Sequence, residues 1–158
     1  MGVSGCGKST IGQLLAERLE GSFIEGDDLH PAENIRKMSA GIPLEDADRM
    51  PWLDRIAREA IRRKQSQPWV VISCSALKAA YRERLRQAIP DLRVIFLRGS
   101  REFIGKRMTA RTGHFMPAAL LDSQFAALEE PRRAMAVDIG PPPAEIVREI
   151  LHKLEQTQ

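Results

Sequence analysis

With 158 residues, of which 43% are hydrophobic and 28% charged, the chain has the length and composition of a single globular domain, which we expect to span residues 1–158. No apolar run approaches the roughly 18 residues of a transmembrane helix, and the first residues lack a signal-peptide pattern, so we expect a cytoplasmic protein without a membrane partner. The net charge of +3 suits anionic small molecules, whereas the basic run at 62–64 lacks interleaved aromatic residues, so we expect no nucleic-acid partner.

Helical and strand patterns alternate along the chain. Apolar residues at helical spacing predict helices from the opening loop to about residue 20, at 31–41, from about 51, at 76–88, 100–111 and 118–128, and from about 143 onward. Short apolar runs predict strands at 22–27, 69–74, 92–97 and 136–139. This alternation indicates an α/β domain in which helices cover both faces of a parallel sheet, a three-layer α/β/α arrangement.

The opening residues, "MGVSGCGKST", contain the pattern G-x-x-x-x-G-K-[ST] without a mismatch. Glycines let backbone N–H groups surround phosphate oxygens, a lysine supplies positive charge, and the hydroxyl after it is a ligand for Mg²⁺. The alternative is a chance glycine turn, but four such positions coincide in well under ~1% of chains of this length. We predict a nucleotide phosphate site, with Ser9 as the metal ligand, formed by Gly2, Val3, Ser4, Gly5, Cys6, Gly7, Lys8, Ser9 and Thr10.

The segment "EGDDLHP" places Asp27 where a predicted strand meets a loop. α/β folds hold their ligands at this end of the sheet, so Asp27 is a candidate to orient an acceptor hydroxyl, to take its proton or to hold Mg²⁺ through water. The alternative is an N-cap for the helix at Pro31, a role that suits Asp28 better than Asp27. His30 is a candidate for a functional contact, and the alternative is a capping or packing residue.

The segment "RMTARTGHFMP" has the features of a mobile cover over a phosphate site. Arg107 and Arg111 lie four residues apart, on one face of a predicted helix, and Gly113 permits a hinge. Phosphoryl transfer depends on positioning and charge neutralisation, so arginines carried by a helical lid at about 100–128 suit that reaction. The alternative is two solvated arginines on an amphipathic helix.

Several longer segments together resemble one known family. "EGDDLHPAENIRKMSAGIPLEDADRMPWL", "ISCSALKAAYRERLR" and "LRGSREFIGKRMTARTGHFMPAALLDSQFAALEEP" follow the opening loop in the order seen in the small P-loop gluconate kinases. The resemblance covers nearly the whole chain. It implies a shikimate- and adenylate-kinase-like fold with five parallel core strands, usually in a homodimer. It also implies Mg²⁺-dependent phosphorylation of the C6 hydroxyl of D-gluconate by ATP, giving 6-phospho-D-gluconate and ADP in gluconate degradation.

The resemblance also assigns roles to individual residues. It implies that Lys8 acts within the phosphate loop, that Asp27 is the catalytic carboxylate and that Arg49 binds the carboxylate of the acid substrate. Further residues are then expected to line the sugar-acid site or to act from the lid: Ser75, Lys78 and Arg82 in the site, His30 beside Asp27, and Arg107 and Arg111 on the lid. A related kinase with another acceptor and an inactive ATP-binding relative remain as alternatives.

One feature departs from the pattern of this family. A phosphate loop of this type normally follows an inner strand of the sheet, whereas only Met1 precedes Gly2 here. Adjacent strands of a sheet lie roughly 4.8 Å apart, so loss of an inner strand leaves a gap between its two neighbours. Each buried backbone N–H or C=O group left without a partner there costs ~1–3 kcal/mol of stability. We therefore expect the first core strand to be missing from this sequence, either because the natural start lies upstream or because the chain is a truncated relative.

Overall fold

The computed structural model describes residues 1–110 and 118–156. Helices and short strands alternate along these ranges, which confirms the predicted α/β class. The strands are β1 (Ser22–Glu25), β2 (Val70–Ser73), β3 (Ile95–Arg98) and β4 (Met135–Asp138). The helices are α1 (Lys8–Arg18), α2 (Ala32–Ser39), α3 (Asp46–Lys64), α4 (Ala79–Ala88), α5 (Arg101–Thr109), α6 (Ala118–Ala127) and α7 (Pro143–Glu155).

The strands form two separate parallel pairs. β1 lies beside β2, with Ile24 opposite Ile72, and β3 lies beside β4, with Leu97 opposite Val137. Helices α1 and α7 pack together over one hydrophobic cluster, and α3 and α4 pack together over a second. The sheet therefore lies between two helical layers, as the predicted three-layer arrangement requires.

A groove of about 720 Å³ separates β2 from β3. Met1 lies at its end, where the Met1 amine donates to Ile95 O at 2.6 Å and Met1 O accepts from Leu97 N at 3.0 Å. The groove is mostly apolar, and its lining includes Leu15, Leu19, Val70, Val71, Ile72, Leu85, Ile89, Val94, Ile95 and Leu154. In the described residues the two strand pairs are therefore not hydrogen-bonded to each other, and this groove lies between them.

Helix α3 begins earlier than its sequence pattern predicts. We expected Pro51 to start it, but the helix starts at Asp46 and Pro51 lies inside it. Asp48 provides the start signal, because its carboxylate accepts from Glu45 N at 2.9 Å and satisfies a backbone donor at the helix N-terminus. Pro51 removes one N–H near the exposed end of the helix, and the buried face of α3 compensates for that loss.

The segment predicted as a lid contains α5 and α6, which pack against each other. Ser100 is the N-cap of α5, and its hydroxyl accepts from Phe103 N at 3.1 Å. Arg111 and Gly113 lie outside the described residues, so the role predicted for Arg111 stays a prediction. In the part of the chain that the structure describes, no helix is both long and apolar enough to cross a membrane.

Candidate active site

The opening loop wraps tightly in front of α1. Gly5 and Gly7 have φ values of 80° and 93°, a left-handed conformation that side chains rarely adopt. A Cβ on Gly5 would also lie only 2.7 Å from the side chain of Met108. Cys6 is fully buried, so its thiol does not face a ligand in the loop. α1 begins at Lys8, which places its first N–H groups and the positive end of its dipole at this loop.

Lys8 and Ser9 lie at the mouth of the loop. Lys8 Nζ donates to Val3 O at 3.1 Å, so its ammonium group bends back over the loop. Ser9 Oγ donates to Glu25 Oε2 at 2.5 Å. Glu25 is the last residue of β1 and was not among the predicted site residues. A hydroxyl beside a carboxylate is a pair of oxygen donors of the kind that Mg²⁺ prefers, and Mg²⁺ commonly takes its other ligands from phosphates and water.

Helices α5 and α6 each place a side chain against the phosphate loop. A Cβ built on Gly7 would lie 3.7 Å from Arg107 Nη2, so the guanidinium group is in contact range of the loop backbone. Gln124 Oε1 accepts from Ser4 N at 2.6 Å. Arg107 therefore lies beside the phosphate loop, and its role toward phosphate stays a prediction. Gln124 is a contact that the sequence did not predict.

Asp27 follows β1 in the 3₁₀ turn Gly26–Leu29 and is exposed, as is Asp28. The turn is fixed by Trp52, whose Nε1 donates to Gly26 O at 2.7 Å. Pro31 precedes α2 as its N-cap without a side-chain hydrogen bond, so the structure gives neither aspartate the alternative capping role. Asp27 stands at the carboxyl end of the strand that follows the phosphate loop along the chain.

His30 has the contacts of a packing residue. Its ring stacks on Trp52 with the centroids 4.2 Å apart, and the side chain is buried. Asn34 Nδ2 lies 3.2 Å from His30 Nδ1. An amide nitrogen can only donate, so Nδ1 accepts and the ring is neutral. Burial also lowers the pKa of His30. A direct contact with substrate stays a prediction.

Three of the predicted substrate residues line one cleft of about 540 Å³: Arg49 of α3, Ser75 after β2, and Lys78 before α4. Two residues that the sequence did not predict complete it, because Lys78 Nζ and Tyr81 OH both donate to Asp46 Oδ1, at 2.8 and 2.5 Å. The Arg49 guanidinium lies 5.8 Å from the centroid of the Tyr81 ring. The cleft thus combines cations with hydroxyl groups, which suits an anionic polyol.

The cleft adjoins the phosphate loop. Gly2 N donates to Ser75 O at 3.2 Å, so the segment that carries Ser75 and Lys78 is bonded directly to the start of the loop. Asp46 keeps its charge over a wide pH range, because hydrogen bonds from Lys78 and Tyr81 lower its pKa. The same bond to Asp46 raises the pKa of Lys78.

Arg82 does not line this cleft. Its side chain is buried, and its guanidinium donates to three carbonyl oxygens: Ala76 O at 2.9 Å, Leu77 O at 2.8 Å and Glu129 O at 2.8 Å. These bonds hold the backbone of the cleft from behind and connect it to the residues that follow α6. The structure therefore replaces the predicted contact of Arg82 with the sugar acid by a supporting role beneath the cleft.

The sequence analysis did not identify four residues of the site, and only two of the four had a local sequence signal. Glu25 is two residues before Asp27 at a predicted strand end, and Tyr81 is one helical turn after Lys78, so local spacing could have indicated both. Asp46 and Gln124 had no local signal, because the contacts that place them in the site join segments distant in sequence.

The fold and the phosphate loop together define a class of protein. The family model described as "Shikimate kinase" matches residues 4–155. The APS kinase structure from Mycobacterium tuberculosis superposes with a TM-score of 0.70 at 18% identity, over 98% of this chain and 94% of that one. This distant likeness concerns the fold alone. The chain is a P-loop kinase of the shikimate kinase type.

Relatives with higher sequence identity show which family within this class the chain resembles. The thermosensitive gluconokinase of Escherichia coli (strain K12) is 52% identical over 134 residues, which are 84% of this chain and 71% of that protein. The thermoresistant gluconokinase of the same strain is 39% identical, over 99% of this chain and 91% of that protein. The crystal structure of a gluconokinase from Sinorhizobium meliloti 1021 matches with a TM-score of 0.89 and 53% identity, covering 99% of this chain and 90% of that one. The chain therefore belongs to the gluconokinase family.

Proposed function

We propose that this protein transfers the γ-phosphoryl group of ATP to the C6 hydroxyl of D-gluconate, giving 6-phospho-D-gluconate and ADP in the degradation of gluconate. The observation that carries the proposal is the cleft: Arg49 comes from one segment and Ser75 and Lys78 from another, and together they line one space that is bonded to the phosphate loop. The gluconokinases among its relatives support the same activity.

The cleft is proposed to bind the acid end of the substrate. D-Gluconate is a monoanion with several hydroxyl groups, so it requires cations at one end and hydrogen-bonding groups along its length. Arg49 and Lys78 supply the cations, and Ser75 and Tyr81 supply hydroxyl groups. Binding energy gained at the carboxylate then orients the far end of the chain for reaction.

The reacting end is proposed to lie against Asp27. Its carboxylate orients the C6 hydroxyl and accepts its proton as the hydroxyl oxygen attacks phosphorus. Lys8, Arg107 and the loop N–H groups neutralise charge on the phosphoryl group during transfer. Arg111 is proposed to assist from the lid, which we place at about 100–128.

Mg²⁺ is proposed as the metal of the reaction, and the residues present fit it. Ser9 Oγ would be a direct ligand, and Glu25, at 2.5 Å from that hydroxyl, would accept hydrogen bonds from water on the metal or bind it directly. When bound, the ion would add its positive charge at the β- and γ-phosphates to that of Lys8 and Arg107. The described residues contain no group of three or more His, Cys, Asp or Glu that could hold a metal ion without nucleotide.

The test is release of ADP measured with ATP, Mg²⁺ and a panel of acceptors: D-gluconate, shikimate, other sugar acids and AMP. We expect turnover with gluconate at a kcat/KM at least about tenfold above any other acceptor, the discrimination that about 1.4 kcal/mol provides. Equal or higher activity with another acceptor would identify a related small-molecule kinase. Calorimetric binding of ATP without turnover on any acceptor would identify an inactive relative.

A homodimer in the cytoplasm is also proposed. The resemblance to this family suggests the dimer, and exposed apolar side chains support it: Ile35 and Met38 on α2, and Ile42 after it, are 49%, 45% and 53% exposed. Light scattering coupled to gel filtration tests the dimer, and Ile42→Asp is expected to shift the mass toward the monomer if this patch forms the interface.

A further inference from the structure

Gln124 joins α6 to the phosphate loop by a hydrogen bond between two residues that are far apart in sequence. Its Oε1 accepts from Ser4 N at 2.6 Å. A backbone N–H can only donate, so this bond fixes which way the carboxamide faces, with Oε1 toward the loop backbone and Nε2 on the other side. Among the described residues none accepts a hydrogen bond from Nε2.

The position of Gln124 does not depend on this bond alone. Glu129, just after α6, donates through its backbone N to Leu77 O at 3.0 Å, and its carboxylate accepts from Ala79 N at 2.6 Å. Arg82 donates to Glu129 O from below. On α6 itself, Leu121 is buried in the hydrophobic cluster beneath the phosphate loop. The helix is therefore held by its packing and its C-terminal end, so Gln124 presents its side chain from a fixed support.

The loop backbone that Gln124 contacts is the part of the motif whose N–H groups surround phosphate oxygens. Gln124 Nε2 is held at that backbone, and its hydrogens have no acceptor among the described residues. A phosphate oxygen bound in the loop can therefore accept a hydrogen bond from it. We propose that Gln124 is a further catalytic residue, whose Nε2 donates to the γ-phosphoryl group while Oε1 holds Ser4. This inference rests on the proposed function as a kinase, and it names a residue that acts on the transferred group.

Two near-isosteric substitutions separate this role from a purely structural one. Gln124→Glu keeps an acceptor for Ser4 N but replaces the Nε2 donor by negative charge. Gln124→Met removes both the acceptor and the donor. If Gln124 only supports the loop, Gln124→Glu behaves like the unchanged protein and Gln124→Met is impaired. If Gln124 donates to the γ-phosphoryl group, both are impaired, and Gln124→Glu is impaired more because its carboxylate repels the phosphate.

The experiment measures binding of ADP and of a non-hydrolysable ATP analogue by calorimetry, and then kcat with gluconate. Ser123→Ala is the matched control, because Ser123 is exposed on the same helix and, among the described residues, its hydroxyl bonds only to Leu120 O. For Gln124→Glu we expect at least a tenfold loss of affinity for the ATP analogue and less than a twofold change for ADP, which lacks the γ-phosphate. For Gln124→Met we expect kcat to fall about tenfold at an unchanged unfolding temperature.

Analogue binding by Gln124→Glu equal to that of the unchanged protein would overturn the inference, as would equal weakening of ADP and the analogue. These binding measurements do not involve gluconate. Absence of gluconate turnover in the unchanged protein would therefore count against the proposed function and leave the assignment of Gln124 to be decided by the two affinities.

Discussion

Lys78 Nζ lies 2.8 Å from Asp46 Oδ1, so the lysine that we assign to the sugar acid is already paired with a carboxylate of its own chain. Glu45 and Asp46 together balance the charges of Arg49 and Lys78 around the cleft. A substrate carboxylate that approaches Lys78 must compete with Asp46. The ion pair therefore keeps Lys78 in place before substrate binds and weakens its attraction for an incoming anion.

Asp46→Asn is expected to lower the KM for gluconate about two- to fivefold, because an exposed ion pair holds Lys78 only weakly. The KM for ATP is expected to stay unchanged. Initial rates over a gluconate series measure this change. Asp54→Asn is the matched control, because Asp54 lies on the same helix in an ion pair with Arg84 at 2.8 Å and does not line the cleft. A higher KM in Asp46→Asn would mean instead that Asp46 binds substrate hydroxyl groups.

Asp27→Asn is expected to lower kcat by about 10²–10⁴, the range for loss of a general base. The affinity for ATP is expected to change little, since Asp27 acts on the acceptor and not on the nucleotide. Asp28→Asn provides a control with the same charge change on the next residue of the same exposed turn. Pre-steady-state rates and calorimetry distinguish the two effects. Loss of ATP binding in Asp27→Asn, with kcat retained, would assign Asp27 to the metal or the nucleotide.

The stability of the fold is expected to depend on His30. Its pKa is lowered by burial from the ordinary value of 6.5, so the unfolded chain binds a proton that the folded chain excludes. The free energy of unfolding therefore falls as the pH drops below about 6.5, until the lowered pKa is passed. Protonation would also break the bond that Nδ1 accepts from Asn34.

Urea denaturation at pH 7.5 and at pH 5.5 measures this dependence. His30→Phe keeps an aromatic ring against Trp52 without a titrating group, so its stability is expected to change less between the two pH values. His152→Gln is the control, because His152 is exposed on α7 and bonds to Gln156. An equal pH dependence in His30→Phe and in the unchanged protein would assign the acid sensitivity to other groups.

Local patterns predicted the phosphate loop and the order of elements, because both depend on residues close in sequence. The cleft was predicted in part. Arg49, Ser75 and Lys78 were named through the family resemblance, whereas Asp46 and Tyr81 meet across 35 positions. No pattern within one segment records such a contact, since it depends on how α3 and α4 pack.

For Arg82, the role expected from the sequence differs from the position of its side chain in the structure. Its place in the segment "CSALKAAYR" resembled that of a substrate ligand, but α4 directs its guanidinium beneath the cleft, toward backbone carbonyls. One of these carbonyls belongs to Glu129, 47 positions further along the chain. No pattern within one segment records such a contact, because it depends on how the residues after α6 pack against α4.

The groove between β2 and β3 leads to a last prediction. Met1 already bonds to β3 as a residue of a parallel strand does, donating to Ile95 O and accepting from Leu97 N. The remaining groove is apolar and has a strand edge on each side. A chain extended ahead of Met1 by five β-branched apolar residues is expected to place them there. With ~0.5–1.5 kcal/mol for each new backbone hydrogen bond, the free energy of unfolding should rise by about 2 kcal/mol or more.

Urea denaturation of the extended and the unextended chain measures this gain. The control is an extension of equal length and similar hydrophobicity that has proline at alternate positions, since proline removes the N–H groups that a strand needs. Stabilisation by the first extension alone would show that the groove accepts a strand through its backbone edges. Equal stabilisation by both would mean that burial of apolar surface acts alone, and no stabilisation by either would mean that the two strand pairs need no partner between them.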